Sequence, residues 1–296
     1  MIKQTLFITT PAQLSLDKKQ LIIQWKGLDG QISRPIEDIG VVIVESQMAK
    51  LTVPLLNALA DNNALVVFCN NKCMPNCMLT TFQASATQSE GLKYQLLATE
   101  PCKKQIWKQI IEVKIKNQSM LLEKYSKQAA LLKPLYMHVK SGDTDNREGT
   151  AARIYWHQLF GPDFLRGREG EPPNNLLNYG YSILRAACAR ALLGSGLLPY
   201  FGVFHHNRYN SFPLADDIME PYRPFVDDVV YQMHLKGCKD LDKQAKANLI
   251  NVLYCDTLWD GCKKPLQVAL SATTASLLKV YRSEINKLSL PMFSYE

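Results

Sequence analysis

Apolar and polar positions in the first third of the chain alternate as in strands. TLFITT (5–10) is one strand, and QLSLDKKQLIIQW (13–25) reads as two strands around an Asp-Lys-Lys turn. GQISRPIEDIGVVIVES (30–46) is a third stretch, in which the unbroken apolar run from Val41 to Val44 predicts a buried strand. Thr52 then stands as a helix N-cap, with Pro54 in the first turn and Leu55, Leu56 and Leu59 on one face. ALVVFC (64–69) returns to strand. The pattern predicts a small β-rich domain with at least one helix, assigned to residues 1–90 and ending between Phe82 and Leu97. The small, polar segment QASATQSEGLK (83–93) is read as a linker or exposed hairpin.

From Cys102 onward the apolar spacing becomes helical, and residues 100–296 are assigned to a helical domain. CKKQIWKQIIEVKIKNQSMLLEKY (102–125) carries Ile106, Ile110, Val113 and Leu121 among many lysines. Those lysines read first as a solvated face, and secondly as a surface for a nucleic-acid backbone. In SGDTDNREGTAARIYWHQLFGPDF (141–164), Asp143, Thr144 or Asp145 is a candidate cap for a helix that stops at Gly161. Glu148 sits in its first turn, where an acid also has the ordinary role of favouring the helix dipole. Arg166 and Arg168 lie in a Gly/Pro-bearing loop suited to phosphate. A helix over about 175–193 has apolar residues on more than one side and reads as central and buried. The segments 240–259 and 265–287 each read as helices.

The densest chemistry runs from Pro199 to Asp228, with His205 and His206 adjacent, then Asp216, Asp217 and Glu220. Asp217 and Glu220 are three apart and share a helix face. Pro221 and Pro224 remove the helical bonds to the carbonyls of residues 217 and 220, so the helix is expected to bend at the acids. Imidazole with carboxylates suits Mg²⁺ or Mn²⁺ better than a thiolate-loving metal. Taken one at a time, each of these side chains is ordinary as a cap or a solvated group; their combination within thirty residues is not.

Composition narrows the class. The chain has 296 residues, 47% of them hydrophobic, with a net charge of +7, which allows two domains and favours an anionic partner without demanding one. No run of residues is apolar enough to span a membrane, and the first residues do not read as a signal peptide, so no membrane association is expected. The eight cysteines are then expected as thiols. Cys69, Cys73 and Cys77 lack the paired spacing of a zinc knuckle.

Several segments together resemble the CRISPR-associated endonuclease/integrase family of spacer acquisition ("Cas-one"). They are PIEDIGVVIVES, LLNALADNN, EGTAARIYW, NNLLNYGYSILRA and GVFHHNRYNSFPLADDIMEPYRPFVD, in the family's order over nearly the full length. The HHN…LADDIMEPYRP form is similar to the type II branch. FCNNKCMPNC departs from the family's pattern, having no histidine near Cys73. The resemblance implies an α+β chain: a β-rich N-terminal dimerisation domain, then an all-helical catalytic domain. It implies Glu148, His205 and Glu220 as catalytic metal ligands for Mg²⁺ or Mn²⁺, with Asp217 a supporting acid and His206 without a ligand role.

The implied reaction is insertion of foreign DNA spacers into a CRISPR array, a 3′-hydroxyl attacking a repeat phosphodiester. Implied partners are double-stranded DNA (prespacer and repeat), a second copy of the chain, and a small "Cas-two" protein, all in a bacterial cytoplasm. Two other readings stay open. One is a non-catalytic basic DNA-binding scaffold whose acids only cap helices. The other is an HNH-type nuclease on His205, His206 and Asn207, which would need a ββα context.

Overall fold

The structure, a computed structural model, describes residues 4–25, 30–81, 85–167, 171–259 and 261–294. The chain divides into two compact units, residues 1–84 and 85–296. The boundary falls inside the window of 82–97 expected for the end of the first domain, six residues before its assigned limit at 90.

The first unit holds β1 (Gln4–Ile8), β2 (Ala12–Asp17), β3 (Gln20–Trp25), β4 (Ile32–Pro35), β5 (Ile39–Val44), β6 (Lys50–Leu51), helix α1 (Val53–Asp61), β7 (Leu65–Cys69) and β8 (Pro75–Leu79). One sheet has the order β1-β5-β7-β8, the other β4-β3-β2-β6. β5 runs parallel to both β1 and β7, and all six of its residues are buried. That is the physical reason its sequence is continuously apolar: both faces are covered. β2 and β3 form the expected hairpin, with Lys18 and Lys19 both at positive φ in the tight turn. Its buried residues Leu14, Leu21 and Ile23 join Ile39, Val42, Leu55 and Leu59 in one core. The third predicted stretch is split in two by a 3₁₀ turn at Ile36–Asp38.

The second unit opens with α2 (Gln88–Leu97), where a linker was expected. Gln95 of this helix is buried and its side chain exchanges hydrogen bonds with the Leu198 backbone, which ties a weakly patterned segment into the unit. The long α3 (Glu100–Lys124) follows, its N-cap Thr99 accepting from the Cys102 amide. Then come α4 (Lys133–Met137), α5 (Arg147–Phe160), α6 (Asn174–Gly194), α7 (Pro213–Met219), α8 (Arg223–Leu235), α9 (Lys243–Asn251), strands β9 (Asp256–Trp259) and β10 (Cys262–Pro265), and α10 (Leu266–Tyr281). Most of α6 is buried, and α7, α8, α9 and α10 pack around it.

Helices dominate this unit, but not everywhere. The stretch expected to be helical over 240–259 stops at Asn251, and an antiparallel hairpin of β9 and β10 replaces its end. Thr257, Leu258 and Trp259 favour a pleated, half-buried surface, and their pairing won. No helix among the described residues is long and apolar enough to cross a membrane.

Candidate active site

Helix α3 is the backbone of the site. It is roughly 37 Å long at 1.5 Å per residue. Trp107, Lys114 and Asn117 stand on its buried face, seven and three residues apart, hence within one stripe. Asn117 donates to the Pro221 and Pro291 carbonyls at 2.8 and 3.1 Å and accepts from the Phe293 amide. It thereby anchors the break between α7 and α8. That break is a 3₁₀ turn, Glu220–Tyr222, where the two prolines interrupt the helical hydrogen bonds as the sequence requires.

Glu148 reaches the site from the opposite side. Asp143, at positive φ, accepts from the amides of Arg147 and Glu148 at 2.8 and 3.0 Å. Asn146, also left-handed, is the N-cap and accepts from the Gly149 amide. Asp143, one of the expected caps, does hold the helix start; Asn146 was not foreseen. The double cap fixes the first turn of α5, and the helix ends at Gly161, whose φ of 105° suits a residue without a Cβ.

Glu148 and Glu220 converge on one atom. Lys114 Nζ lies 2.5 Å from Glu148 Oε1 and 2.6 Å from Glu220 Oε2. Glu220 Oε1 pairs with Arg223 at 2.9 Å. Burial opposes charge on Lys114, yet the two carboxylates outweigh it and raise its pKa. Burial likewise opposes charge on Glu220, but Arg223 and Lys114 hold its carboxyl below the usual range. Lys114 belonged to the lysines expected on a solvated face; its side chain is only 8% exposed, and it faces the carboxylates instead.

His205 and Asp217 form a second pair beside this one. His205 Nδ1 is 2.6 Å from Asp217 Oδ1. Asp217 is fully buried and also accepts from the backbone amides of Val203, Phe204 and His205. Gly202 permits this wrap: a Cβ there would meet the His205 carbonyl at 2.6 Å and Asp217 Oδ2 at 2.9 Å. Burial raises the Asp217 carboxyl, and the Asp217 contact raises the His205 imidazole. Trp107 stacks on Phe204 at 4.1 Å and meets the His205 ring edge-on. His206 is exposed and takes no part in these contacts.

Arg223 is steered from behind. Its guanidinium lies over the Tyr181 ring, 4.6 Å from the centroid. Tyr181 donates to Asp227, and Tyr155 donates to the other Asp227 oxygen at 2.8 Å. Buried Asp227 is pushed up to about 6, burial outweighing the two hydroxyls.

An open cleft of about 550 Å³ beside His205 is lined by Tyr181, Ser182, Arg185, Asn210 and Arg223, among others. On the other side of His205 lies a cleft of about 400 Å³ with Lys103, Phe201, His206 and Arg208. Arg185 is fixed by Asp216 at 2.7 Å and by Asn210. Arg166, read from sequence as a phosphate contact, spends its guanidinium on Asn174 and Asn178 at 3.0 and 2.8 Å. Arg168 lies outside the described residues.

Two carboxylates meeting at one point, and an imidazole whose Nδ1 is held by a carboxylate while no described residue hydrogen-bonds Nε2, are the donor types that a hard divalent cation takes. Glu220 Oε2 faces the Lys114 ammonium at 2.6 Å. Among the described residues no three His, Cys, Asp or Glu side chains lie close enough to hold an ion as they stand. The point between Glu148 and Glu220 belongs to Lys114. Helical residues follow His205–Asn207, so the ββα context of an HNH site is not formed.

Sequence reasoning did not single out Lys114, Trp107, Asn117 or Asp227. The detectable signal was position: Lys114 is four residues from Ile110 and three from Ile111, on the apolar stripe of α3.

Residues 6–251 match the family model described as CRISPR associated protein Cas1. "CRISPR-associated endonuclease Cas1" of Neisseria meningitidis serogroup C (strain 8013) is 38% identical over 258 residues, covering 86% of this chain and 84% of that protein. The solved structure "Casposase bound to integration product" superposes with a TM-score of 0.79 at 19% identity, over 98% of this chain and 93% of the other. The "Cas6-RT-Cas1--Cas2 complex" matches with a TM-score of 0.72 at 21% identity, over 98% of this chain and 36% of that longer one. On the extent of the family match and this level of identity, the chain belongs to the Cas1 family of CRISPR-associated proteins.

Proposed function

We propose that this chain is a metal-dependent DNA integrase and endonuclease that inserts foreign DNA as spacers into a CRISPR array, as a step of antiviral defence. The observation that carries the proposal is the meeting of Glu148 and Glu220 at one cationic point, with His205 held by Asp217 alongside. The Neisseria relative is named an endonuclease, and the similar casposase was solved bound to integration product; both agree with nuclease and strand-transfer chemistry.

Glu148, Glu220 and His205 Nε2 would hold Mg²⁺ or Mn²⁺. The ion, when bound, supplies Lewis-acid stabilisation of the phosphate and of the two oxygens that exchange on it. Asp217 keeps the His205 proton on Nδ1, so Nε2 presents its lone pair. Arg223, held by Glu220 and Tyr181 at the edge of one cleft, faces the place where phosphate charge develops. The clefts on either side of His205, with Arg185 and Arg223 in one and Lys103 and Arg208 in the other, suit strands leading away from that phosphate. A 3′-hydroxyl attacks phosphorus and a different 3′-oxygen departs, one phosphodiester replacing another, so no nucleotide cofactor is required. Water in place of the hydroxyl gives cleavage.

The substrate is double-stranded DNA, prespacer and repeat, in a bacterial cytoplasm. The similar Cas6-RT-Cas1–Cas2 complex carries Cas2 among its named components, which agrees with a small partner of that type. Self-association through the β-rich first unit completes the reading, and light scattering showing a monomer at micromolar concentration overturns that part.

The test is integration of a labelled duplex into a repeat-bearing plasmid with Mn²⁺. Glu148→Gln and Glu220→Gln should each lose most of the activity while retaining DNA binding, because a neutral amide is a poor ligand for a hard cation. Near-native integration by either variant overturns the proposal, and a scaffold would bind DNA but neither join nor cut it.

A further inference from the structure

We infer that Lys114 is a resident counter-cation: its ammonium holds Glu148 and Glu220 together in the metal-free protein and must leave for a divalent ion to be seated between them. The inference rests on the reading of Glu148 and Glu220 as ligands and adds a residue that competes with the ion.

Three observations carry it. First, the ammonium stands where the two carboxylates meet, 2.5 and 2.6 Å from their oxygens. A hard cation needs those oxygens at about 2.0–2.3 Å, so ion and ammonium do not fit at the same point. Second, the four groups in direct contact already carry balanced charge. Glu148 and Glu220 contribute two negative charges, and Lys114 and Arg223 two positive ones. Seating a divalent ion between the two carboxylates without moving Lys114 would set it directly against that ammonium, with Arg223 on the far oxygen of Glu220, which is unfavourable at low dielectric.

Third, Lys114 is the member built to move. Arg223 is packed on Tyr181 and backed by Asp227. Among the described residues, the Lys114 ammonium makes its polar contacts with the two carboxylates, through a four-carbon stem whose rotations shift the ammonium without shifting α3. Glu148, 23% exposed, marks the side from which the ion arrives, whereas Glu220, 3% exposed, lies at the back.

A lysine kept only for fold stability would be indifferent to the ion. A counter-cation makes two demands: without it the carboxylates repel, and with it the ion binds more weakly. Lys114→Met keeps the length and removes the charge, whereas Lys114→Arg keeps the charge on a larger group.

The experiment titrates Mn²⁺ alone into the full-length native chain, Lys114→Met, Lys114→Arg, Glu148→Gln and Glu220→Gln, by calorimetry and by melting temperature. Expected results are Mn²⁺ affinity at least about tenfold tighter in Lys114→Met than in the native chain, and weaker in Lys114→Arg. A tenfold change corresponds to about 1.4 kcal/mol. Metal-free Lys114→Met should melt lower than native, and saturating Mn²⁺ should raise its melting temperature by more. Equal or weaker Mn²⁺ affinity in Lys114→Met overturns the inference while leaving the ligand reading intact, provided both Gln variants abolish native binding. Native binding that survives both Gln variants removes the ligand reading and this inference with it. Should Lys114→Met not fold, the native Mn²⁺-bound crystal structure decides. Lys114 Nζ moved away from both carboxylates supports the inference, and Nζ still bridging them beside a bound ion overturns it.

Discussion

His205 Nδ1 sits 2.6 Å from Asp217 Oδ1, a contact that leaves Nε2 as the only ring nitrogen able to meet a ligand. In the proposed metal site Asp217 would position the imidazole rather than ligate the ion itself. Asp217→Asn should lower integration by about 10–100-fold, the usual range for the outer partner of a metal-bound histidine. The signature is partial rescue by raised Mn²⁺ with unchanged DNA affinity, measured on the same preparation. Activity within about twofold of native at limiting Mn²⁺ would show that His205 needs no such support.

The adjacent histidines separate cleanly. His205 is packed against Trp107 and Asp217, whereas His206 is exposed. His205→Ala should abolish most integration, and His206→Ala should retain at least about half, because a solvated side chain away from the reacting groups rarely contributes much. Side-by-side rates for the two variants decide it, and equal losses would mean the wrong imidazole has been assigned.

Asn117→Leu tests the anchor behind the helix break. It leaves the Pro221 and Pro291 carbonyls and the Phe293 amide without their partner in a buried setting. With a cost of about 1–3 kcal/mol per unsatisfied group, a loss of roughly 3 kcal/mol is expected. For a unit of this size that lowers the melting temperature by about 6–12 °C. A shift under about 2 °C would show that Pro221 and Pro291 find other donors.

Asp227 gives a pH signature. Its folded pKa of about 6 lies above the ordinary 3.8, so the folded state takes up a proton that the unfolded chain has already released. The stabilising contribution is complete below about pH 4, declines as pH rises from about 4 to 6, and is gone above about 6.5. Asp227→Asn has no such titration. The melting temperature of the variant relative to native should rise through that window and then level off; a constant difference from about pH 4 to 7.5 would return the carboxyl to its ordinary range.

DNA affinity should fall steeply with salt, since lysines on the exposed side of α3 displace counterions from the phosphates. Arg166 is different. Held by Asn174 and Asn178, it has little left to offer a phosphate. Arg166→Ala should therefore change thermal stability more than the slope of log affinity against log salt. A slope reduced by about one in that variant would restore Arg166 as a phosphate contact.

The sequence by itself determined the elements that local physics dictates. Continuous burial of β5 showed as an unbroken apolar run, the Lys18–Lys19 turn as polar residues between strands, and the 3₁₀ break at Glu220 as two prolines. It also marked the cluster of His205, Asp217 and Glu220 within one stretch as unusual, whereas Glu148 read as an ordinary helix-start acid and was singled out only by the family resemblance. Where local preference was weak, tertiary contacts decided: α2 replaced a linker once Gln95 met Leu198, and the β9–β10 hairpin replaced the end of a helix. Only the tertiary structure could show that Lys114 is buried among carboxylates from segments 34 and 106 residues away. Composition marks a lysine as solvated because burying an unpaired charge is costly, and the pair that removes that cost is made by chain closure, which no local window contains.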